Sequence, residues 1–247
     1  MPLAELFTID LAYAAAIALT AGVIKGFAGF GGGMFMVPLL SVLYGPVEAV
    51  IMILLLEAPS NVALLPRALR DTDWPLAAPL AVATLVSIPV GTYVLVSSDA
   101  DLLRRVIGVL VLFFVATMYS GWRYRGVRRV ATSLAAGAAA GFLAGAAAMG
   151  GPVLVMYLMA GPGAVAARVR GSMLTIAMFL IVYMFLNLVL FDAVGSAPVW
   201  RAIVLIPASL AGAWAGTRLF LVAGERAFRH FALATIAAAA GLFAVVR

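Results

Sequence analysis

The chain has 247 residues, 66% of them hydrophobic and only 11% charged, with a mean hydropathy of +1.17. A soluble domain of this length carries about a quarter charged residues, so composition excludes an ordinary water-soluble fold and points to an all-α polytopic membrane protein. The net charge of +6 is no argument for nucleic acid, because all but Lys25 of the 16 basic residues are arginines, mostly in short loops where they orient helices and meet lipid headgroups. With no cysteine, disulfides, thiol catalysis and cluster ligation are excluded.

Met1 to Asp10 has no basic n-region and no cleavage site, which predicts insertion by the first helix rather than by a removable signal peptide. At about 20 residues per crossing, the apolar runs predict eight segments, near 11–44, 47–66, 75–96, 102–121, 130–160, 171–191, 198–222 and 227–246. The first and fifth are too long for one crossing and too short for two. Little remains for a soluble domain, so the function sits in the membrane.

Between Leu11 and Tyr44 the single charge is Lys25, and the centre reads Gly22, Lys25, Gly26, Gly29, Gly31, Gly32, Gly33 and then Pro38. Glycine costs about 1 kcal/mol per position inside a helix, so the run Gly29–Gly33 predicts a break followed by a half-helix from near Met34. Irregular backbone at membrane depth survives only where protein or a watery cavity satisfies it. In transporters such breaks aim the positive end of a half-helix at an anion. Gly22 and Gly26, four residues apart, are better explained by close helix packing, whereas Gly31–Gly33 before Pro38 favour a functional break.

Lys25 is a costly cation for a membrane helix; it either snorkels to the interface or meets substrate. Glu57 is the one carboxylate well inside a predicted helix, beside Pro59, Ser60 and Asn61. It either couples transport to protons, with Ser60 and Asn61 as neighbours in that role, or pairs with Lys25 or an arginine. Glu48, Asp71, Asp73, Asp99, Asp101 and Asp192 fall at predicted loops and read as solvated.

The opening stretch recurs. A shift of 119 carries Gly22, Gly26, Gly31 and Gly32 onto Gly141, Gly145, Gly150 and Gly151, with Ala148 for Gly29 and Pro152 for Gly33. Proline suits the first position of a half-helix, where its missing N–H has no partner anyway. Val130 to Ala167 is again free of charge. At a shift of 125, Gly91-Thr92 matches Gly216-Thr217 and Arg104 matches Arg229. The chain therefore reads as two transmembrane repeats, 1–121 and 130–247, joined by a cytoplasmic basic linker at 122–129.

If the halves are inverted, the arginines from Arg67 to Arg70, Arg123 to Arg129, Arg168, Arg170, Arg226 and Arg229 share one side. Arg104, Arg105, Arg201 and Arg247 then lie opposite. The positive-inside rule prefers this lopsided split, with both termini outside; parallel halves would put the termini inside.

In the second half Arg168 and Arg170 open the next helix, followed by Ser172 and Thr175, and a guanidinium fork suits an oxyanion. Asn187 reads as interhelical glue and His230 as interfacial. One histidine cannot furnish an H-E-x-x-H zinc site, and no phosphate-binding loop of the G-x-x-x-x-G-K-[ST] kind is present. A rhomboid-like hydrolase would need His230 beside Ser172. An enzyme is therefore not expected.

Paired copies of this glycine pattern, Gly22 to Pro38 and Gly141 to Pro152, with a glycine-rich third helix and an arginine opening the fourth, resemble the TauE/SafE sulfite exporter family. That family is also called the 4-toluene sulfonate uptake permease family. The resemblance covers nearly the whole chain and implies a multi-pass carrier of the bacterial inner membrane for sulfite, sulfoacetate or another organosulfonate. The family's Ala-x-x-Thr-Ser pattern is absent at Ala49–Ile53, and only Ser172 keeps a hydroxyl in the second half; Met149 and Pro152 replace smaller residues. These departures imply an altered pocket.

The expected function is a secondary transporter of a small anion by alternating access at the interface of two repeats. Substrate would be held by Lys25, Gly29, Gly31, Gly32, Gly33, Met149, Gly150, Gly151, Pro152, Arg170 and Ser172. A passive anion channel or a scaffold without turnover is the alternative. No cofactor or metal is expected; a coupling proton or sodium ion and a homodimer are left open as partners.

Overall fold

A computed structural model describes residues 9–28, 31–120, 126, 128–160 and 166–223. The described residues form nine helices and no strand: α1 (Ile9–Ala28), α2 (Gly32–Tyr44), α3 (Pro46–Asp71), α4 (Trp74–Ser97), α5 (Ala100–Tyr119), α6 (Val130–Ala147), α7 (Gly151–Leu158), α8 (Ala166–Leu190) and α9 (Ser196–Ala223). Seven are long and apolar enough to cross a membrane; α2 and α7 are shorter. The protein is an all-helical, multi-pass membrane protein. The segment expected near 227–246, with His230 and Arg229, lies outside the described residues.

The described residues divide into two compact units. One contains those of Met1–Glu57, Ser98–Ser120 and Val194–Arg247; the other contains those of Ala58–Ser97 and Gly121–Ala193. Each unit draws on both halves of the sequence.

In the first unit α1 and α9 lie side by side and run in the same direction, Leu19 meeting Gly212 and Val23 meeting Gly216. A Cβ added to Gly22 or Gly26 would overlap the backbone of Ser209 or Ala213. Packing is thus what these two glycines serve, as their spacing suggests. α2 folds back on α1: a Cβ on Gly32 would stand 3.0 Å from the Ala21 carbonyl oxygen and 3.2 Å from Lys25 Cβ. The chain reverses through Gly31, whose φ of 93° only glycine adopts without strain.

At the other end of this hairpin, Arg104 Nε of α5 donates to the Ser41 carbonyl oxygen at 3.0 Å. Arg201 of α9 lies over the Tyr44 ring at 4.5 Å and pairs with Glu48 of α3 at 2.5 Å. The end of α2 and the beginnings of α3, α5 and α9 therefore share one end of the unit. Arg104 and Arg201 fall together there. Glu48 is not a loop residue bathed in water; it lies in the first turn of α3 and is held by Arg201. Asp101 is likewise helical and pairs with Arg104 at 2.7 Å, and Asp99 caps α5 by accepting from Asp101 N and Leu102 N.

The second unit repeats the arrangement. α4 and α6 run in the same direction, and a Cβ on Gly137, Gly141 or Gly145 would overlap the carbonyls of Leu80, Thr84 or Ile88. At the shifts seen in the sequence, Gly141 and Gly145 correspond to Gly22 and Gly26, and Thr84 and Ile88 to Ser209 and Ala213. α7 turns back on α6, where Tyr157 Oη meets Ser133 Oγ at 2.8 Å and Thr132 Oγ1 at 3.0 Å. Asn187 Nδ2 donates to the Tyr183 carbonyl one turn earlier in α8, at 2.8 Å.

Candidate functional site

Both expected breaks are present, with differing local geometry. In the first unit α1 ends at Ala28 and α2 begins at Gly32, two residues earlier than the sequence suggests. Phe35 N is the first amide of α2 to close a helical bond, to Gly31 O at 3.1 Å. Gly32, Gly33 and Met34 therefore carry N–H groups without an i−4 acceptor inside the helix, the positive end of its dipole. Pro38, with no N–H of its own, leaves the Met34 carbonyl without its helical donor. Gly29 lies outside the described residues.

Lys25 and Glu57 are brought to this helix start. Lys25 Nζ lies 3.6 Å from Glu57 Oε2 and donates to the Glu57 backbone oxygen at 3.4 Å. The side chains are 13% and 22% exposed, so the pair is largely withdrawn from solvent. At an effective dielectric of about 20 a pair at this distance attracts with roughly 4–5 kcal/mol, and removing one partner strands the other charge. The carboxylate also flanks the first residue of α2, since a Cβ on Gly32 would stand 3.5 Å from Glu57 Oε1. Of the two fates the sequence leaves open for Glu57 as a paired residue, pairing with Lys25 is the one seen among the described residues.

One turn beyond Glu57 on α3, Asn61 is 2% exposed, and neither its Nδ2 nor its Oδ1 has a hydrogen-bond partner. A buried amide in that condition costs about 1–3 kcal/mol unless something else satisfies it. Ser60, beside it, is half-buried and engaged.

In the second unit α6 ends with Ala148 in the left-handed region (φ 51°), and α7 begins at Gly151 with Pro152 in its first turn. Leu154 N is the first to close a helical bond, to Gly150 O at 3.2 Å, so Gly151 and Val153 hold the amides free of helical partners. Met149 is buried, Pro152 is buried, and a Cβ on Gly150 would crowd Ala140 and Ala144. Gly151 differs: a Cβ there meets nothing within 4 Å. Arg168 and Arg170 are exposed in the first turns of α8. Ser172 is buried and its Oγ accepts from Asp73 N at 3.0 Å, while Thr175 Oγ1 and Thr72 Oγ1 lie 2.8 Å apart. Ser172 and Thr175 thus fasten α8 to the turn between α3 and α4.

The sequence gives no local signal for the Tyr44–Glu48–Arg201 cluster, whose ion pair spans 153 positions, nor for the Tyr157 hydroxyl network. Among the described residues no group of His, Asp and Glu could hold a metal ion.

The family model described as sulfite exporter TauE/SafE matches residues 14–243, a span that contains both breaks and the Lys25–Glu57 pair. No curated protein and no solved structure matches the chain. The family is one of membrane transporters that export sulfite and related anions, and the extent of the match leaves one conclusion: the chain belongs to the TauE/SafE sulfite exporter family.

Proposed function

We propose that this protein is a secondary carrier of a small sulfur oxyanion (sulfite, sulfoacetate or another organosulfonate) in the bacterial inner membrane. The observation that carries this reading is Lys25 lying against the start of α2, where three backbone amides have no helical partner. A sulfonate or sulfite presents three oxygens around one sulfur. Bare amides at a helix start bind such a group by direction and dipole without adding further side-chain charge. Lys25 supplies the compensating charge that a largely dry site requires. α7 offers a second, smaller set of amides at Gly151 and Val153.

Under this reading the two breaks serve one transport cycle of alternating access, the repeats being inverted copies. Arg170 and Ser172, implied as ligands by the family pattern, take lesser parts: an exposed guanidinium that attracts anions and a hydroxyl that positions α8.

The test is uptake and counter-flow of labelled methanesulfonate and sulfite in proteoliposomes, with Gly32→Leu and Gly151→Leu. A carrier saturates and shows counter-flow, and both variants lose at least tenfold in rate. Gly151→Leu is the cleaner of the two because a Cβ at Gly151 meets nothing within 4 Å, whereas one at Gly32 stands 3.0 Å from the Ala21 carbonyl oxygen. Linear, non-saturating flux would favour a passive channel, and unchanged transport in both variants would remove the site assignment.

A further inference from the structure

Glu57 occupies the place where the anion is expected. Its Oε2 is paired with Lys25 at 3.6 Å, and its Oε1 stands 3.5 Å from the position of a Cβ on Gly32, the first residue of α2. The carboxylate is thus an anion resting beside the amide-bearing start of the half-helix and against the cation that would hold the substrate. We infer that Glu57 is a tethered surrogate for the substrate, displaced and protonated when the solute binds, so that each monovalent anion moves together with one proton. This rests on the carrier reading and assigns its coupling ion.

The argument is one of charge. Lys25 and Glu57 together are neutral. Adding an anion to them would leave a net negative charge in a region largely withdrawn from water, which is strongly disfavoured. If Glu57 takes up a proton from solvent as the anion displaces it, Lys25 and the anion form the new neutral pair. The site then carries the same charge empty and loaded. The balance is complete: one O–H bond forms on the carboxylate when the anion binds and breaks when it leaves, with no other reactant.

Among the described residues beside Glu57, α1 presents the charged Lys25, α2 presents glycine backbone at Gly32, and α3 places Ile53, Leu54, Ser60 and Asn61 about one turn away along the same helix.

Isothermal titration of the purified protein with methanesulfonate, in buffers of differing ionisation enthalpy, reads this directly. Wild type is expected to take up about one proton per anion bound. Its affinity should fall as pH rises, by up to tenfold per pH unit, the slope of a single linked proton. In Glu57→Gln the competitor is gone and the proton cannot be taken up, so methanesulfonate should bind at least tenfold tighter above neutral pH, without proton uptake and with affinity independent of pH. Methanesulfonate flux, electroneutral in wild type, should become electrogenic in this variant.

Should Glu57→Gln fail to fold with Lys25 unpaired, Lys25→Met with Glu57→Gln restores a neutral pair, and in it both binding and proton uptake should vanish. Wild-type binding without proton uptake, or proton uptake that persists in Glu57→Gln, would overturn the inference and leave the carrier reading standing. Absence of methanesulfonate and sulfite binding in wild type and Glu57→Gln alike would overturn the carrier reading and this inference with it.

Discussion

Lys25 and Glu57, 32 positions apart, meet at 3.6 Å beside the first residue of a half-helix. Ionisable residues inside a membrane helix are functional candidates by default, and under the proposed reading this pair, beside the start of α2, handles charge. Lys25→Met should therefore abolish binding of sulfite and methanesulfonate while lowering stability, because Glu57 is left partly buried without its cation. Removing one partner of a largely buried pair costs about 3–5 kcal/mol. Calorimetric binding and the thermal midpoint in detergent check both halves of this expectation.

Gly26 and Gly145 are expected to behave as packing residues. A valine at either position meets backbone carbonyl rather than a movable side chain, so neither helix can yield without separating. Overpacking of this kind costs about 1–3 kcal/mol, which lowers the thermal midpoint of a chain this size by roughly 2–12 °C. Gly151→Ala, in open space, should leave the midpoint unchanged.

Asn61 should trade stability against transport. Its amide is buried with both polar atoms unpartnered, so Asn61→Leu relieves a desolvation cost of about 1–3 kcal/mol and raises the thermal midpoint. If the amide serves the solute or its proton, the same change slows methanesulfonate flux at least tenfold. A variant that is more stable and equally active would assign Asn61 no part in transport.

The Glu48–Arg201 pair is half-open to solvent, with side-chain exposures of 38% and 20%. A double-mutant cycle with Glu48→Gln and Arg201→Gln should yield a coupling of about 1 kcal/mol. Arg201 also lies over the Tyr44 ring, a contact that does not depend on the Glu48 charge, so Glu48→Gln alone should shift the midpoint by only a few degrees.

Much of the fold was legible because lipid makes few demands and enforces them strictly: apolar length sets the crossings, and glycine density marks where winding stops. Gly31–Gly33 and Gly150–Gly151 announce their breaks for that reason, although the half-helix starts at Gly32 rather than near Met34. Glycine at the helix start sacrifices nothing, since its first amides lack helical partners anyway. The pairing of Lys25 with Glu57 was one of several open fates, because charge alone does not say which helix faces which. Glu48 was misread as solvated because its partner, Arg201, lies 153 positions away and no local pattern links them. Ser172 stood out as a polar residue near an arginine, yet its hydroxyl is engaged by Asp73 N, a backbone group that sequence does not display.

The most direct test is the backbone amide signals of Gly32, Gly33 and Met34, followed by nitrogen-15 magnetic resonance in lipid nanodiscs during titration with methanesulfonate. These three should shift together and saturate at the same concentration as calorimetric binding, while amides in the middle of α5 stay still. Saturable binding that leaves all three signals unmoved would contradict the account, because the solute would then be held elsewhere.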